Sequence, residues 1–386
     1  MTGIGTSITA GLPDSSRVDV GVFARLLDSR TNSYKFFFLL ALLDRIEGRS
    51  ASGEQSPDLD RPVPIRDLLA HMIVAAWFPH GFCRLSLGLQ DRLQDAVDAI
   101  PWGPVKGSWI TAGGDEWRRL HGRAIRSAEP EKLSRYVPYR LIRPFFSKET
   151  LGVPDGKVNS LVAKLADGMF DSRKPLYMFT TDRESLVLHH DWIGYLAQNG
   201  PIVRGWLLFR LAEYLQSRNP TVPGIIDKLI PPLSRSSLAT HTAWWKAALP
   251  GLGRKAVCIY SGSALSLDDL SMDHHLPWSF VAHDRAWNIV PVPGRVNSSK
   301  SDCIPADRYT VPLAELQHGA LAALHGLWPE GRWVKAAEPF MSDLGLGKDA
   351  ILDSRKLLAA YNEVLPLAKA NAGRLGFALG WEYPSC

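Results

Sequence analysis

Five polar residues in the C-terminal part of the chain have types and spacing that could hold a cation and move a proton. Asp273 and His274 are adjacent, Asn288 follows His274 by fourteen positions, and Asn297 follows Asn288 by nine. Lys300 lies three positions after Asn297, so the two share one face of a helix. Histidine titrates near neutral pH and suits a general base, whereas carboxylate and amide oxygens suit a hard divalent cation.

Short strands and one short helix are predicted to position these residues. Residues 257–262, VCIYSG, predict a short strand and a turn. LSMDHHLP predicts a second strand ending at Asp273 and His274, and AWNIVPV predicts a third strand carrying Asn288. A Pro-Gly pair then precedes RVNSSKSD, a predicted short helix whose N-terminus could face a phosphate. Strand neighbours point to opposite faces, so the second strand must end or twist at the Asp-His pair.

This order of residues resembles the HNH nuclease motif in its ββα-metal fold. It is most similar to the HNH domain of the RNA-guided CRISPR effector nucleases over about residues 258–305. LPWSF lies where that group has Pro-x-Ser-Phe, and NSSKSDCIP where it has Asn-x-x-Lys-Ser-Asp. The remainder, including TNSYKFFFLLALL and RNPTVPG, resembles bacterial HNH-containing proteins in which a phage-defence role is often suspected. No RuvC-like or guide-binding region is recognised there.

The resemblance implies a role for each polar residue. His274 would be the general base, and Asp273 and Asn297 would be the protein ligands of one Mg²⁺ or Mn²⁺ ion. Asn288 would hold the loop across the motif and orient His274, and Lys300 would contact a phosphate.

Several nearby residues qualify this interpretation. His275 is an alternative base that the spacing disfavours, and Arg295 replaces an acidic residue of some relatives, which argues against a third protein ligand. No structural zinc is expected, because Cys258 is followed by Ser261 instead of a second cysteine and Cys303 stands alone. Aromatic packing would have to stabilise the hairpin instead, through Tyr260, Trp278, Phe280 and Trp287.

Other histidines and acids are interpreted as ordinary polar residues. His283 and Asp284 lie in the predicted loop and are expected to be surface or turn residues. His189 and His190 precede a helix predicted to open near Asp191, and they are expected near its cap.

A basic stripe at residues 117–148 is the predicted nucleic-acid surface. It carries nine Lys or Arg against two acids, a larger excess than the net +5 of the whole chain, with aromatic residues interleaved. The alternative is a solvated face on which arginine stems cover apolar surface. The candidate nucleic-acid contacts are Arg118, Arg119, Arg123, Arg126, Arg135, Arg140 and Arg143, with Arg295 from the motif.

Length and pattern predict an α+β protein of two domains. A mainly helical N-terminal domain at 1–245 would precede a ββα-metal HNH module with C-terminal helices at 246–386. Leu89, Leu93, Val97 and Ile100 predict one helix face, and two successive helices are predicted between Asp191 and Asn219. Four scattered cysteines and the absence of a secretory pattern favour a reduced, cytoplasmic setting, and no apolar run is long enough to span a bilayer.

The sequence thus predicts a metal-dependent endonuclease that acts on DNA, with a role in phage defence implied by resemblance. Two alternatives remain open: an RNA-cleaving, toxin-like nuclease, and a non-cleaving nucleic-acid-binding subunit that works with partner proteins of a defence assembly. One HNH centre would cut one strand.

Overall fold

The computed structural model of the chain describes residues 11–28, 31–49, 61–103, 114–231 and 237–384. The chain divides into two compact units. The N-terminal unit comprises residues up to 220 with 225–233, and the C-terminal unit comprises 221–224 with the residues from 234 onwards. The predicted domain boundary near residue 245 falls inside the helix Ala239–Leu252 of the C-terminal unit.

The N-terminal unit is built from helices with one small sheet. The helices are α1 (Val20–Ala24), α2 (Tyr34–Ile46), α3 (Ile65–Ala76), α4 (Arg92–Asp98), α5 (Asp115–Arg126), α6 (Glu129–Ser134), α7 (Val137–Ile142), α8 (Asp155–Gly168), α9 (Phe170–Arg173) and α10 (His190–Arg218). The antiparallel strands β1 (Val63–Pro64), β2 (Tyr177–Phe179) and β3 (Ser185–Leu188) pair in the order β1-β3-β2.

Helix α2 is the central apolar element of this unit, as its FFFLLALL run predicts. It begins after Ser33, and almost every one of its side chains is buried. Its Asp44 accepts hydrogen bonds from His71 at 2.8 Å and from Arg204 at 2.6 Å. Burial acts to raise the pKa of Asp44, but these two partners outweigh burial and lower it. The buried Asp44 charge is therefore paired, as the low polarity of a protein interior requires.

Two predicted features of this unit are wrong. Leu89 is fully exposed, because the side chain of Asp91 accepts a hydrogen bond from the Leu93 amide and begins α4 after Leu89. The two helices predicted between Asp191 and Asn219 are one 29-residue helix, α10, with Pro201 inside it. The helix continues past the proline, which removes one backbone donor without ending the element.

The C-terminal unit has a two-stranded sheet surrounded by helices. Its elements are α11 (Ala239–Leu252), β4 (Ser271–His274), α12 (Trp278–Val281), β5 (Ile289–Val292), α13 (Gly294–Lys300), α14 (Thr310–Leu327), α15 (Glu330–Leu344) and α16 (Ser354–Arg374). The predicted strand at residues 257–262 is wrong: only an isolated bridge joins Val257 to Ala264 around a turn. That turn lies outside the β4–β5 pair.

Three helices fix the backbone at the start of β5. The indole of Trp245 on α11 donates to the Ile289 carbonyl at 3.2 Å, and the hydroxyl of Tyr361 on α16 donates to the Trp287 carbonyl at 2.8 Å. The Gln317 amide on α14 donates to the Ile289 carbonyl at 3.0 Å. Buried carbonyls are thereby satisfied, and a rigid helical frame holds the strand.

Mainly helical α+β architecture is confirmed, since 62% of the structure is helical and the sheets are small. Of the helices within the described ranges, none combines a bilayer-spanning length with a sufficiently apolar sequence.

Candidate active site

Strands β4 and β5 bring the polar residues of the C-terminal motif together. The strands are antiparallel, with Asp273 opposite Val290 and His274 opposite Ile289. Asn288 lies in a short 3-10 turn immediately before β5, instead of in the strand as predicted. Strand β4 ends at His274, as predicted.

Asn288 links the two sides of the loop that follows β4. It is fully buried, its side-chain oxygen accepts from the Leu276 amide at 2.8 Å, and its Nδ2 donates to the Leu276 carbonyl at 2.9 Å. Its own carbonyl accepts from the His275 amide at 2.8 Å. These three bonds fix the backbone directly after His274.

Asp273 is buried with a partner on each carboxylate oxygen. Lys300 Nζ donates to Oδ1 at 3.0 Å, and the Tyr260 hydroxyl donates to Oδ2 at 3.0 Å. Burial raises the pKa of Asp273 above its ordinary value, although Lys300 and Tyr260 act in the opposite direction. The carboxylate is therefore held in one orientation by two donors.

His274 has a carboxylate partner of its own. Its Nε2 lies 2.7 Å from Oδ1 of Asp284, a residue of the loop between the strands. The two neighbours in β4 thus turn to different partners, Asp273 to Lys300 and His274 to Asp284, as strand alternation requires. A carboxylate at Nε2 favours the tautomer that carries its proton there, which leaves Nδ1 as the basic nitrogen.

Helix α13 supplies the last two residues. Asn297 Nδ2 donates to the Ser271 hydroxyl at 2.8 Å, so the amide oxygen is the atom left for a cation. Lys300 is buried, and besides Asp273 it donates to the His274 carbonyl at 2.7 Å. The resemblance implies that Lys300 contacts a phosphate. In this structure the Lys300 ammonium is instead the counter-charge of the buried Asp273 carboxylate.

His275, the alternative base, lies away from solvent. It is fully buried, and its Nδ1 is 3.1 Å from the Tyr260 hydroxyl. Because that hydroxyl donates to Asp273, it accepts from His275, so His275, Tyr260 and Asp273 form one chain of hydrogen bonds. Burial, aided by Lys369 and Lys300, lowers the pKa of His275 well below its ordinary value.

Residues 258–306 match a family model described as HNH endonuclease. We call these residues the HNH segment. The match supports nuclease activity, and therefore hydrolase activity, and it implies binding of nucleic acid. The chain matched no curated protein and no solved structure. The matched part is a small fraction of the 386 residues, so the match assigns this segment alone.

The donor set of the HNH segment fits a hard divalent cation. HNH nucleases generally use a divalent metal ion. Asp273 offers a carboxylate, and Asn297 offers an amide oxygen from a side chain already oriented by Ser271. Oxygen donors of low total charge suit Mg²⁺ or Mn²⁺, which retain waters and recruit phosphate oxygens.

Sequence reasoning missed three residues around this site. The sequence predicts a surface or turn residue at Asp284, yet Asp284 is the partner of His274. The sequence predicts a packing role for Tyr260, yet its hydroxyl donates to Asp273. His241 on α11 is hydrogen-bonded to the backbone of Asp284, and burial lowers its pKa. Of these three residues, only Asp284 could have been found from the sequence, because it lies ten residues after His274, the general-base candidate. Nothing in the sequence links position 241 to the motif.

The basic stripe is distributed over three helices, and several of its arginines have protein partners. Arg118 pairs with Asp115 at 2.6 Å, and Arg119 with Glu116 at 2.5 Å, both within α5. Arg123 donates to the Pro101 carbonyl at 2.6 Å. Of the aromatic residues interleaved in the stripe, Phe145 and Phe146 are buried in the core and do not face solvent. Among the candidate arginines of the stripe, Arg118, Arg126 and Arg135 are exposed, whereas Arg140 and Arg143 are half-buried. Arg295 on α13 is also exposed.

A separate cluster of possible ligands lies at the start of α10. One ligand atom from each of His189, His190 and Asp191 lies within 4.8 Å of the others. His189 Nδ1 accepts from the Asp191 amide and caps the helix, and Lys174 pairs with the Asp191 carboxylate at 2.7 Å. The cluster therefore has a structural explanation, as the cap position predicts.

Proposed function

We propose that the HNH segment is the active centre of a metal-dependent endonuclease that hydrolyses phosphodiester bonds of DNA. The observation that supports this most is the joint placement of the Asp273 carboxylate, the Asn297 amide and the His274–Asp284 pair on two strands and one helix. A cation site and a general base are thereby carried by adjacent positions of β4. The match to HNH endonucleases supports the same reaction class.

In the proposed reaction, His274 takes a proton from a water molecule at Nδ1, because its Nε2 proton is held by Asp284. The water oxygen forms a bond to phosphorus while one ester P–O bond breaks, and the leaving oxygen takes a proton from solvent. Asp273 and Asn297 would hold a divalent cation, which when bound would neutralise the charge that develops in the reaction.

Lys300 and Asn288 act in this proposal by positioning other groups. Lys300 compensates the Asp273 charge and holds the His274 carbonyl, so it fixes both neighbours at once. Asn288 fixes the loop that leaves His274. Arg295, exposed on α13, is the candidate contact to the phosphate backbone nearest in sequence to Asn297.

A plasmid-nicking assay tests the proposal. Supercoiled plasmid is incubated with the full chain and Mg²⁺ or Mn²⁺, and parallel reactions contain EDTA. We expect nicking by the wild type, none in EDTA, and a fall of about 10²- to 10⁴-fold for His274→Ala, because proton abstraction is lost. His325→Ala replaces an exposed histidine of the same unit and should leave the rate unchanged.

Each alternative predicts a different result in that assay. If RNA is cleaved in a metal-dependent way while the plasmid stays intact, the substrate is RNA instead of DNA. Binding of labelled DNA without cleavage of either nucleic acid would favour the non-cleaving subunit.

A role in phage defence, with partner proteins and in the cytoplasm, rests on resemblance and composition. It predicts that cells producing the wild-type chain resist phage infection and that cells producing the His274→Ala variant do not. Equal plaque counts for both strains would oppose that role.

A further inference from the structure

The N-terminal unit contains a large cavity that the nuclease proposal does not use. Its volume is about 890 Å³, and it is lined by residues of α2, α6 and α7 with the loops around them. Sites for small ligands typically measure about 300–1,000 Å³. The cavity therefore has the size of a small-molecule site.

The lining of this cavity is strongly cationic. Among the described residues of the lining, two acids, Asp28 and Asp155, face six cations, which are Arg25, Lys35, Arg92, Lys132, Arg140 and Arg143. Such an excess in a concave site focuses a positive potential on its interior. An anionic occupant is the chemistry that this lining favours.

The cations are only partly neutralised by protein groups. Arg140 pairs with the exposed Asp155 at 3.1 Å, and Lys132 pairs with Glu129 at 2.6 Å. Arg143 instead reaches the hydroxyl and carbonyl of Thr150, each at 3.4 Å. A guanidinium whose described partners are neutral oxygens keeps its full charge available to an anion.

Lys35 is a partly buried cation of this lining that lies near Arg143 and Arg140. Its Nζ donates to the Leu26 carbonyl at 3.3 Å. Burial, with Arg143 and Arg140 adding repulsion, lowers the pKa of Lys35 to about 8, and Asp28 offsets this only in part. An anion placed among these three cations would relieve that repulsion.

Aromatic and polar side chains complete the lining. Tyr34 and Tyr136 both face the cavity, and Tyr136 is 55% exposed. Tyrosine rings stack on nucleobases, while arginine and lysine bind phosphate oxygens. A concave site of this volume encloses a small molecule, whereas a duplex backbone needs an extended surface.

We propose that this cavity binds a nucleotide-sized ligand that carries phosphate groups. Arg143, Arg140 and Lys35 would bind the phosphates, and Tyr136 would contact the base. The proposal is independent of the HNH segment, so the His274→Ala variant should retain it.

Isothermal titration calorimetry of the full chain with ATP and with pyrophosphate, both in EDTA, tests this site. We expect both probes to bind, with ATP the tighter because of the base. Lys35→Gln and Arg143→Gln should each weaken ATP binding by roughly tenfold or more, because each removes a charge-assisted contact. The matched control is Lys164→Gln, which replaces an exposed cation of α8 outside the cavity and should change affinity less than twofold.

A second measurement tests whether Lys35 takes part in binding the anion. Near pH 8, where Lys35 is partly deprotonated, binding should be accompanied by proton uptake, seen as a dependence of the heat on buffer ionisation. Lys35→Gln should abolish that uptake. Arg25→Gln, at an exposed position of the lining, tests the site without disturbing packing and should also weaken ATP.

The proposal fails if neither ATP nor pyrophosphate binds the wild-type chain at millimolar concentration. It also fails if folded Lys35, Arg143 and Arg25 variants bind as the wild type does, or if Lys164→Gln weakens binding equally. Tight binding of a single-stranded oligonucleotide without binding of ATP or pyrophosphate would assign these cations to a nucleic-acid surface instead. Adenosine, which lacks phosphate, should bind neither the wild-type chain nor any variant.

Discussion

At the scale of single residues, the proposed chemistry depends on how His274 is held. The 2.7 Å contact between its Nε2 and Asp284 resembles the orienting carboxylate of other acid–base catalysts. Such a carboxylate selects one tautomer and stabilises the imidazolium that forms when the base takes a proton. Asp284 is thus a positioning residue in the proposal, acting through His274.

Asp284→Asn should slow nicking by about 10²- to 10⁴-fold, because an amide neither fixes the tautomer nor stabilises the imidazolium. The Mg²⁺ concentration that gives half-maximal rate should stay near that of the wild type, since Asp273 and Asn297 are untouched. The measurement is the nicking rate against Mg²⁺ concentration. Asp268→Asn, an exposed acid of the same segment, is the control. A changed Mg²⁺ requirement with an unchanged maximal rate would assign Asp284 to the cation site.

At the scale of elements, the turn at residues 257–264 is coupled to the end of β4 through one hydroxyl. Tyr260 of this turn is buried and bonds both Asp273 and His275. Its ring packs edge-on against Tyr309 and Trp381, with centroids 5.0 and 5.2 Å away. Tyr260, one of the aromatic residues predicted to stabilise the hairpin, thereby also orients a proposed metal ligand, and the rings that it contacts edge-on are Tyr309 and Trp381 instead of the other predicted aromatics.

Tyr260→Phe should raise the Mg²⁺ concentration that the reaction requires, in a pH-dependent way. The hydroxyl lowers the pKa of Asp273, which burial raises, so its removal should raise that pKa further. Protons compete with the cation for a carboxylate of raised pKa, so the half-saturating Mg²⁺ concentration should increase as pH falls. This increase should begin at a higher pH in the variant, reaching roughly tenfold near pH 6.

Tyr361→Phe provides the matched control, because it also removes a buried hydroxyl of the same unit. Its bond to the Trp287 carbonyl contributes about 1 kcal/mol to stability. We expect this variant to lose stability while its Mg²⁺ dependence follows the wild type at every pH. If both variants show the same Mg²⁺ dependence at every pH, Tyr260 contributes to packing alone.

At the scale of the whole molecule, charge is concentrated without forming a single stripe. The net charge is +5, yet α5 neutralises two of its arginines with its own acids. Arg140 and Arg143 line the cavity of the N-terminal unit. Arg126 and Arg135 are exposed and are the stripe positions best suited to an external phosphate backbone.

Replacing both Arg126 and Arg135 by Gln should weaken DNA binding mainly at low salt. Each lost phosphate contact lowers the slope of log affinity against log salt by about one, so the double variant should lose roughly two. Binding is measured in EDTA on the His274→Ala background, which prevents cutting. The control replaces two exposed lysines of the other unit, Lys335 and Lys356, by Gln. Equal slopes for the double variant and its parent would show that these arginines do not contact the DNA.

Local sequence was sufficient for two elements of the HNH segment, β4 and α13. The motif residues, the strand ending at His274 and the helix carrying Asn297 and Lys300 follow from nearby polar and apolar patterning, and β4 and α13 are confirmed. The α2 helix follows likewise from its apolar run and ends before Gly48, whose φ of 71° suits glycine. Local patterns set these elements because their determinants lie within a few residues.

Tertiary structure alone decided which side chains meet. Lys300 lies against Asp273 across 27 positions, and His241 reaches Asp284 from a helix more than forty residues upstream. The basic run at 117–148 separated into ion pairs on α5 and a cavity wall at α7, because helix breaks turn neighbouring arginines to different faces. Burial and pairing depend on how distant elements pack, and a linear pattern does not encode that geometry.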